Sequence, residues 1–551
     1  MKIRFIVVIS FAGSAFLFVI YSLYNLQINH GLSFTQKVQA QQAVGGLMAA
    51  ERGEIYFTDK SNASIPVAVN KDHQVVFAVP TELEDVGEAT HQIAALLYLD
   101  EVDLLAKLSK PDDKYEELIS KATDEQANIT SKSGIVGLYV GSKRGRYYPF
   151  ETVGAHVLGF VSSGNEEALP EGQYGIEARY NKELSGEPGH FDEKRKLISG
   201  TPGANVSLTI DQNIQVRSEE IVRTLVDQYR AIGGTIIVQD PRSGEIVAMA
   251  NYPLFDPNDF GKSPLQNFIN PVVQGLYEPG SVFKPITMAI GIDAGAITPD
   301  TTFYDPGFFT ADGKTIKNWD LKAHGLITMT NVIEQSVNTG TVFAEKKAGH
   351  KTFYNYLLKF GFKESTDIEL PGEIIGRLTP LEKYPRDINF ATASYGQGLS
   401  TTPIRLITAI SAIANGGVMR SPYITVGGEN KDLRRVIREE TAKAVTGMMV
   451  SAVRKAKVAD ILNYRVAGKT GTAFKPDFEK GGYTDKVINT YVGFAPATSP
   501  RFTILIKLDE PENAPLAGTT VVPAFKELAE FLLNYYNVAP DNVGGSNALS
   551  Q

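Results

Sequence analysis

Apolar and polar positions alternate along this chain with three different periods, and each predicts a different kind of element. Phe5 to Tyr24 is a run of twenty uncharged, mostly apolar residues. As a helix it would be about 30 Å long, the thickness of a bilayer core. Leu97 to Leu118 places Leu104, Leu105 and Leu108 at helical spacing, whereas His73 to Val79 reads as a short strand. Glycine and proline cluster from Gly186 to Gly203 around a charged Asp192–Lys196 stretch, the composition of a linker. Two β-rich runs follow, Gly234–Gln239 and Ile246–Asn251, joined by a turn sequence containing Pro241 and Gly244. After a long helix-leaning region come three more strand-like runs, Tyr464–Ala473, Asn489–Ala495 and Phe502–Leu508. A helical pattern over Ala524–Tyr536 closes the series, with Phe525, Leu528, Leu532 and Tyr535 on one face. Two strands, many helices, three strands and one helix predict an α+β fold, a five-stranded antiparallel sheet closed by distant segments and packed with helices.

Charge gives the apolar run a direction. Lys2 and Arg4 precede it, and the next charged side chain is Lys37. That asymmetry predicts an uncleaved, single-pass signal anchor with a cytoplasmic N-terminus and the rest of the chain outside the membrane. A cleaved signal peptide is the rival; Val38–Ala40 mimics a cleavage site, but a polar stretch of more than ten residues separates it from the run. The expected organisation is therefore a stub and anchor over 1–27, a mixed α/β pedestal over 28–205, a catalytic domain over 206–537 and a disordered tail over 538–551.

Composition mainly excludes. With 551 residues, 43% hydrophobic and 21% charged, the chain is globular protein of more than one domain. A net charge of −8 without a long basic run argues against a nucleic-acid surface. The absence of cysteine removes disulfides, iron–sulfur clusters and thiolate chemistry. Seven scattered histidines show no ligand spacing, so no metal and no cofactor is expected.

The candidate chemistry lies in three short motifs, Ser281-Val-Phe-Lys284, Ser336-Val-Asn338 and Lys469-Thr-Gly-Thr472. They stand in that order, about 50 and about 130 residues apart. Ser281 follows a Glu-Pro-Gly turn, and at i and i+3 of a helix its Oγ and Lys284 Nζ can meet. A serine hydroxyl needs a base, which requires Lys284 to lose its charge; burial and a nearby Lys469 would both favour that. Ser336 is placed to relay a proton between Lys469 and a leaving amine, and Asn338 to orient Lys284 and a substrate amide. Gly471 suits a strand that another backbone approaches, with Lys469 and the hydroxyls of Thr470 and Thr472 holding a carboxylate. The N–H groups of Ser281 and Thr472 would form an oxyanion hole. Singly, each motif is a common turn or surface pattern; in order, on this strand–helix–strand plan, they make a serine acyltransferase. A P-loop reading of Gly468-Lys-Thr470 fails, since Asn463 occupies the position that needs glycine.

The set resembles that of the class B penicillin-binding proteins, the monofunctional peptidoglycan transpeptidases. Arg52-Gly-Glu-Ile55, Arg146-Tyr-Tyr-Pro149, Gly154-Ala-His-Val-Leu-Gly159 and Gly172-Gln-Tyr-Gly175-Ile-Glu177 resemble the family's pedestal motifs. Leu208–Asp211, Tyr395–Gly398, Ala414–Gly417 and Val492–Pro496 resemble those of its transpeptidase domain. Tyr277–Ser281 and Leu370–Glu373 lean to the division-type branch, while Phe57–Asn62 departs from the usual turn after the first pedestal motif. The resemblance implies an acyl-enzyme on Ser281, formed on the D-Ala-D-Ala end of stem peptides with release of D-Ala, and β-lactams as inhibitors. It further implies a SEDS-type glycan polymerase and other divisome or elongasome proteins as partners. A D,D-carboxypeptidase, or a non-catalytic β-lactam sensor or divisome scaffold, are the alternatives. A class A β-lactamase is not favoured, because its Glu-x-x-Leu-Asn pattern occurs here only at Glu530–Asn534, after the third motif.

Overall fold

The computed structural model describes residues 50–542, together with Phe16 and Phe18, apart from 111–112, 114, 163–169, 192–196, 429–431, 478–479 and 515. The Phe5–Tyr24 run otherwise lies outside the described residues, as do residues 543–551. Among the described residues no helix is long and apolar enough to cross a membrane.

The first sheet is built on β2 (Ile65–Ala78), much longer than the 73–79 strand expected. Its early residues pair with β1 (Ile55–Thr58), and Val69–Ala78 pair with β4 (Leu138–Tyr147). Polar Asn70–Gln74 hides this strand from a pattern search, yet the ladder to β4 is continuous there. The helix expected across Leu97–Leu118 divides. Helix α1 (Val86–Leu97) stops at Tyr98 in a left-handed conformation, α2 (Glu101–Leu108) restarts on an Asp100 cap, and β3 (Glu116–Ile119) joins β2. Leu104 and Leu108 are buried, but Leu105 is exposed, so the apolar stripe is narrower than three leucines. Helix α3 (Asp124–Lys132) completes this layer.

The Gly186–Gly203 cluster is not a free linker. It carries a short antiparallel ladder, His190–Phe191 with Leu197–Ile198, extended by a Glu187–Thr201 bridge. Its glycines serve close approach: a Cβ on Gly203 would lie 1.8 Å from the Leu184 carbonyl oxygen. The chain then enters β5 (Val206–Asp211), which lies parallel to β1 in the first sheet.

The second sheet has the expected composition. In spatial order it runs β7 (Ile246–Tyr252), β6 (Gly233–Gln239), β10 (Phe502–Asp509), β9 (Tyr483–Ala495) and β8 (Ala467–Pro476), every pair antiparallel. Alternate residues face opposite layers, as a pleated strand requires. Ile236, Val238, Ile504 and Ile506 pack under α4 (Gln212–Tyr229) and α10 (Val521–Tyr535). Ile237, Leu505 and Val492 face the larger core, which holds α5 (Lys284–Asp293), α8 (Pro403–Ala414) and α9 (Glu439–Ala456). Strand β8 has a partner on one side only, so its other edge is open along the cleft. Val538–Asn542, at the start of the tail expected to be disordered, is tied down: Tyr464 Oη donates to the Val538 carbonyl at 2.6 Å, and Asp541 accepts from Arg465 N.

Candidate active site

Ser281 sits in a 3-10 turn, Gly280–Phe283, that runs straight into α5. Gly280 has φ of 62°, in the left-handed region, which favours a residue without Cβ. Its N–H donates to the Gly396 carbonyl at 3.0 Å, which pins the turn to the Tyr395–Gly398 loop. Glu278 holds the same loop by accepting from Gly398 N and ties in one further segment by accepting from Tyr483 Oη. In a 3-10 turn residues i and i+3 eclipse, so Ser281 and Lys284 share a face as expected. Their side chains are nevertheless differently engaged. Ser281 is partly exposed and its hydroxyl makes no hydrogen bond among the described residues, whereas Lys284 is fully buried.

The three donors of Lys284 go to the second motif rather than to Ser281. Nζ donates to the Ser336 carbonyl, to Ser336 Oγ at 3.2 Å and to Asn338 Oδ1 at 2.8 Å. Three acceptors suit an ammonium, but burial, and then the charge of Lys469, hold the Lys284 pKa well below the ordinary lysine range. The resting amine is therefore both well placed and easily deprotonated.

Ser336 ends α6 (Met329–Gln335) at φ of 57°, and Asn338 begins α7 (Asn338–Ala348). The bend between these helices carries Ser336 Oγ to Lys469 Nζ, 3.0 Å away. One hydroxyl thus bridges two buried lysines, accepting from both, and its own proton remains available to a group in the cleft. Lys469 also donates to the Thr470 carbonyl and hydroxyl, and burial pushes its pKa down to about 7.

The third motif departs from expectation in two respects. A Cβ on Gly471 would lie 2.9 Å from Val282 Cγ1 and 3.0 Å from the Pro279 carbonyl oxygen. The close backbone that glycine admits is therefore the nucleophile's own turn. The Thr472 hydroxyl is also occupied, donating to Asn489 Oδ1 and accepting from Ala517 N. Its backbone fits the expected oxyanion role better. The Thr472 carbonyl oxygen lies beside Gly280, on the side away from β9. Because a strand residue directs its N–H and C=O to the same side, the Thr472 N–H faces the open edge near Ser281.

Sequence reasoning missed Lys317, Asn318 and Trp319, which bond Gln335, Asn338 and Thr339 on either side of Ser336. The one available signal was that Trp319 is the single tryptophan of the chain.

Residues 234–530 match the family described as Penicillin binding protein transpeptidase domain, and 47–196 match the Penicillin-binding Protein dimerisation domain. Stage V sporulation protein D of Bacillus subtilis is 33% identical over 502 residues, covering 86% of this chain and 76% of the relative. This chain belongs to the class B penicillin-binding proteins. Peptidoglycan D,D-transpeptidase FtsI of Escherichia coli is 28% identical over 516 residues, covering 90% and 85% of the two chains. Penicillin binding protein 3 of Mycobacterium tuberculosis, solved with ampicillin, superposes with a TM-score of 0.69 at 27% identity, over 90% of this chain and 98% of that one.

In this penicillin-binding protein three of the four pedestal motifs converge on one carboxylate. Glu177, fully buried, accepts from Arg52 Nε at 2.8 Å, from Arg146 Nε at 2.6 Å and from Tyr148 Oη at 3.2 Å. Arg146 reaches on to the Gly53 carbonyl, and Gly172 packs where a Cβ would strike the Glu177 backbone. Gly154, against the Phe57 ring, donates its N–H at 2.8 Å to Glu219 on α4, which joins these motifs to the helix behind the catalytic sheet.

Proposed function

We propose that Ser281, Lys284, Ser336, Asn338 and Lys469 carry out acyl transfer in the cleft beside β8. The enzyme is a peptidoglycan D,D-transpeptidase of cell-wall synthesis, and its substrate is the D-Ala-D-Ala end of a stem peptide. The peptide lies along the open edge of β8 with its terminal carboxylate toward Lys469 and Thr470. Neutral Lys284 takes the Ser281 hydroxyl proton as Oγ attacks the penultimate D-Ala carbonyl. The N–H groups of Ser281 and Thr472 hold the oxyanion. When the C–N bond breaks, the departing D-Ala amine gains a proton through the Ser336 hydroxyl, which is resupplied from the lysine pair. An acceptor amine of a second stem peptide then attacks the Ser281 ester, loses its proton back into the same relay, and frees Oγ. A β-lactam enters at the first step and forms the same ester.

The observation that carries this reading is the Ser336 hydroxyl bridging two buried lysines beside an uncommitted Ser281 hydroxyl. We further infer that residues 1–27 form a cytoplasmic stub and single-pass anchor, that 28–205 are the pedestal and 206–537 the catalytic domain, and that a SEDS-type glycan polymerase with other wall-synthesis proteins is the partner. Similarity to FtsI of Escherichia coli favours work at division. The test is labelling of the full chain with fluorescent penicillin: wild type forms a covalent adduct and Ser281→Ala does not. Adduct that survives this substitution overturns the assignment. A D-amino-acid acceptor then separates crosslinking from hydrolysis, since a carboxypeptidase yields only the free acid.

A further inference from the structure

The Ser336 bend is braced by a segment that lies outside the three motifs. Helix α7 lacks a capping side chain of its own, because its N-cap is Val337. Asn318 supplies the cap from a distance. Its Oδ1 accepts from Asn338 N at 3.1 Å and Thr339 N at 3.3 Å, two of the first unpaired donors of that helix. On the other side of the bend, Trp319 Nε1 donates at 2.9 Å to the carbonyl of Gln335, the last residue of α6. Between them the Lys317 carbonyl accepts from Asn338 Nδ2 at 2.9 Å. That contact decides which way the Asn338 amide points: with Nδ2 turned to Lys317, Oδ1 faces Lys284 Nζ.

Asn318 is itself held by a buried carboxylate. Asp305 has no exposed surface, and its Oδ2 accepts from Asn318 Nδ2 at 2.7 Å and from His324 N at 3.0 Å. Oδ1 accepts from Gly307 N at 2.8 Å and Thr339 Oγ1 at 2.6 Å. An acceptor-only group saturated by four neutral donors fixes the Asn318 amide, whose Nδ2 makes its second bond to the Lys322 carbonyl.

We propose that Asp305, Asn318 and Trp319 are positioning residues of the acyl transfer, holding Ser336 in its left-handed conformation and aiming Asn338 Oδ1 at Lys284. The proposal rests on the acyl-enzyme reading above and adds to it a support that comes from outside the three motifs. Its test is single-turnover acylation of the full chain by fluorescent penicillin across pH, with the labelled fraction at completion counting folded sites. In Asn318→Ala the rate constant per labelled site falls about a hundredfold, the size of effect that a misplacement near 1 Å produces. The acid limb of its profile moves to lower pH, because Lys284 loses an acceptor that stabilises its ammonium. Trp319→Phe removes one N–H from an exposed position, 59% accessible, and shows a smaller fall in the same direction without loss of labelled fraction. An unchanged rate constant and limb in Trp319→Phe, or an Asn318→Ala enzyme that loses labelled fraction alone, overturns the positioning role. Wild type that takes up no penicillin instead removes the acyl-enzyme reading, and this proposal with it.

Discussion

Lys469 Nζ donates to Ser336 Oγ at 3.0 Å across 133 residues of sequence. Lys469 is 4% exposed, and burial alone pushes its pKa to about 7 from an ordinary 10.5. The unfolded chain therefore binds one more proton than the fold between about 7 and 10.5. Stability falls as pH drops through that window and stays low beneath it.

Lys469→Met should separate stability from activity. At pH 7 the variant unfolds with a free energy about 1–3 kcal/mol higher than wild type, and the advantage disappears above about pH 10.5. Acylation by fluorescent penicillin falls about 10²–10⁴-fold, the usual loss when a positioned proton-transfer group is removed. Its acid limb moves to higher pH, because Lys284 is released from a neighbouring positive charge. Denaturant titrations at pH 7 and pH 11, with a pH–rate series, check all three parts.

Glu219 reports the opposite linkage. Its carboxyl is pushed up to about 7 from 4.5 by burial, although Gly154 N and Gln215 Nε2 both donate to Oε1. Between those values the fold holds a proton that the unfolded chain has lost. The contribution is present below about pH 4.5 and is lost as pH rises through 7. Glu219→Gln keeps the Oε1 acceptor and adds about 1–3 kcal/mol at pH 8, with no gain at pH 4. Melting curves at the two pH values measure it.

Gly471→Ala tests how closely β8 and the nucleophile turn are packed. The new methyl meets Val282 and the Pro279 carbonyl at 2.9–3.0 Å, so strand and turn must separate. A loss of about 1–3 kcal/mol in stability is expected from overpacking of this kind. Because the displacement falls between Ser281 and Thr472, the acylation rate should drop with it. Full activity with a shifted melting point would show that the turn yields without moving the hydroxyl.

Glu177→Ala should do the reverse. It strands Arg52 and Arg146, whose side chains are 11% and 4% exposed, and costs about 3–5 kcal/mol, the range for breaking a buried ion pair. The acylation rate per folded molecule is expected to match wild type, since the cluster contributes no atom to the cleft. Calorimetry beside penicillin labelling distinguishes the two effects.

Strands β6, β7, β8, β9 and β10 were legible because each apolar run ends at turn residues, and their union in one antiparallel sheet followed from two strands, many helices and three strands in sequence; the spatial order of the strands did not. The three motifs were legible because their side chains carry the chemistry. Features held by backbone geometry were not. Ser336 in a left-handed conformation, and Lys317 acting through its carbonyl, leave no mark on residue type. Gly186 and Gly203 read as parts of a linker, whereas both are places where another carbonyl passes within van der Waals reach. The expectation that Ser281 and Lys284 share a face agrees with the turn geometry, but the amine rests on the half-buried acceptors of Ser336 and Asn338 instead of on Ser281.

The unpaired side of β8 presents main-chain amides, which are the same in every peptide. Such a rim can grip but cannot discriminate. Recognition of a D-configured terminus must then come from what stands at the end of the row, where Lys469 and Thr470 meet the cleft. Changing the register of an incoming chain by one residue would leave its grip intact and silence the chemistry.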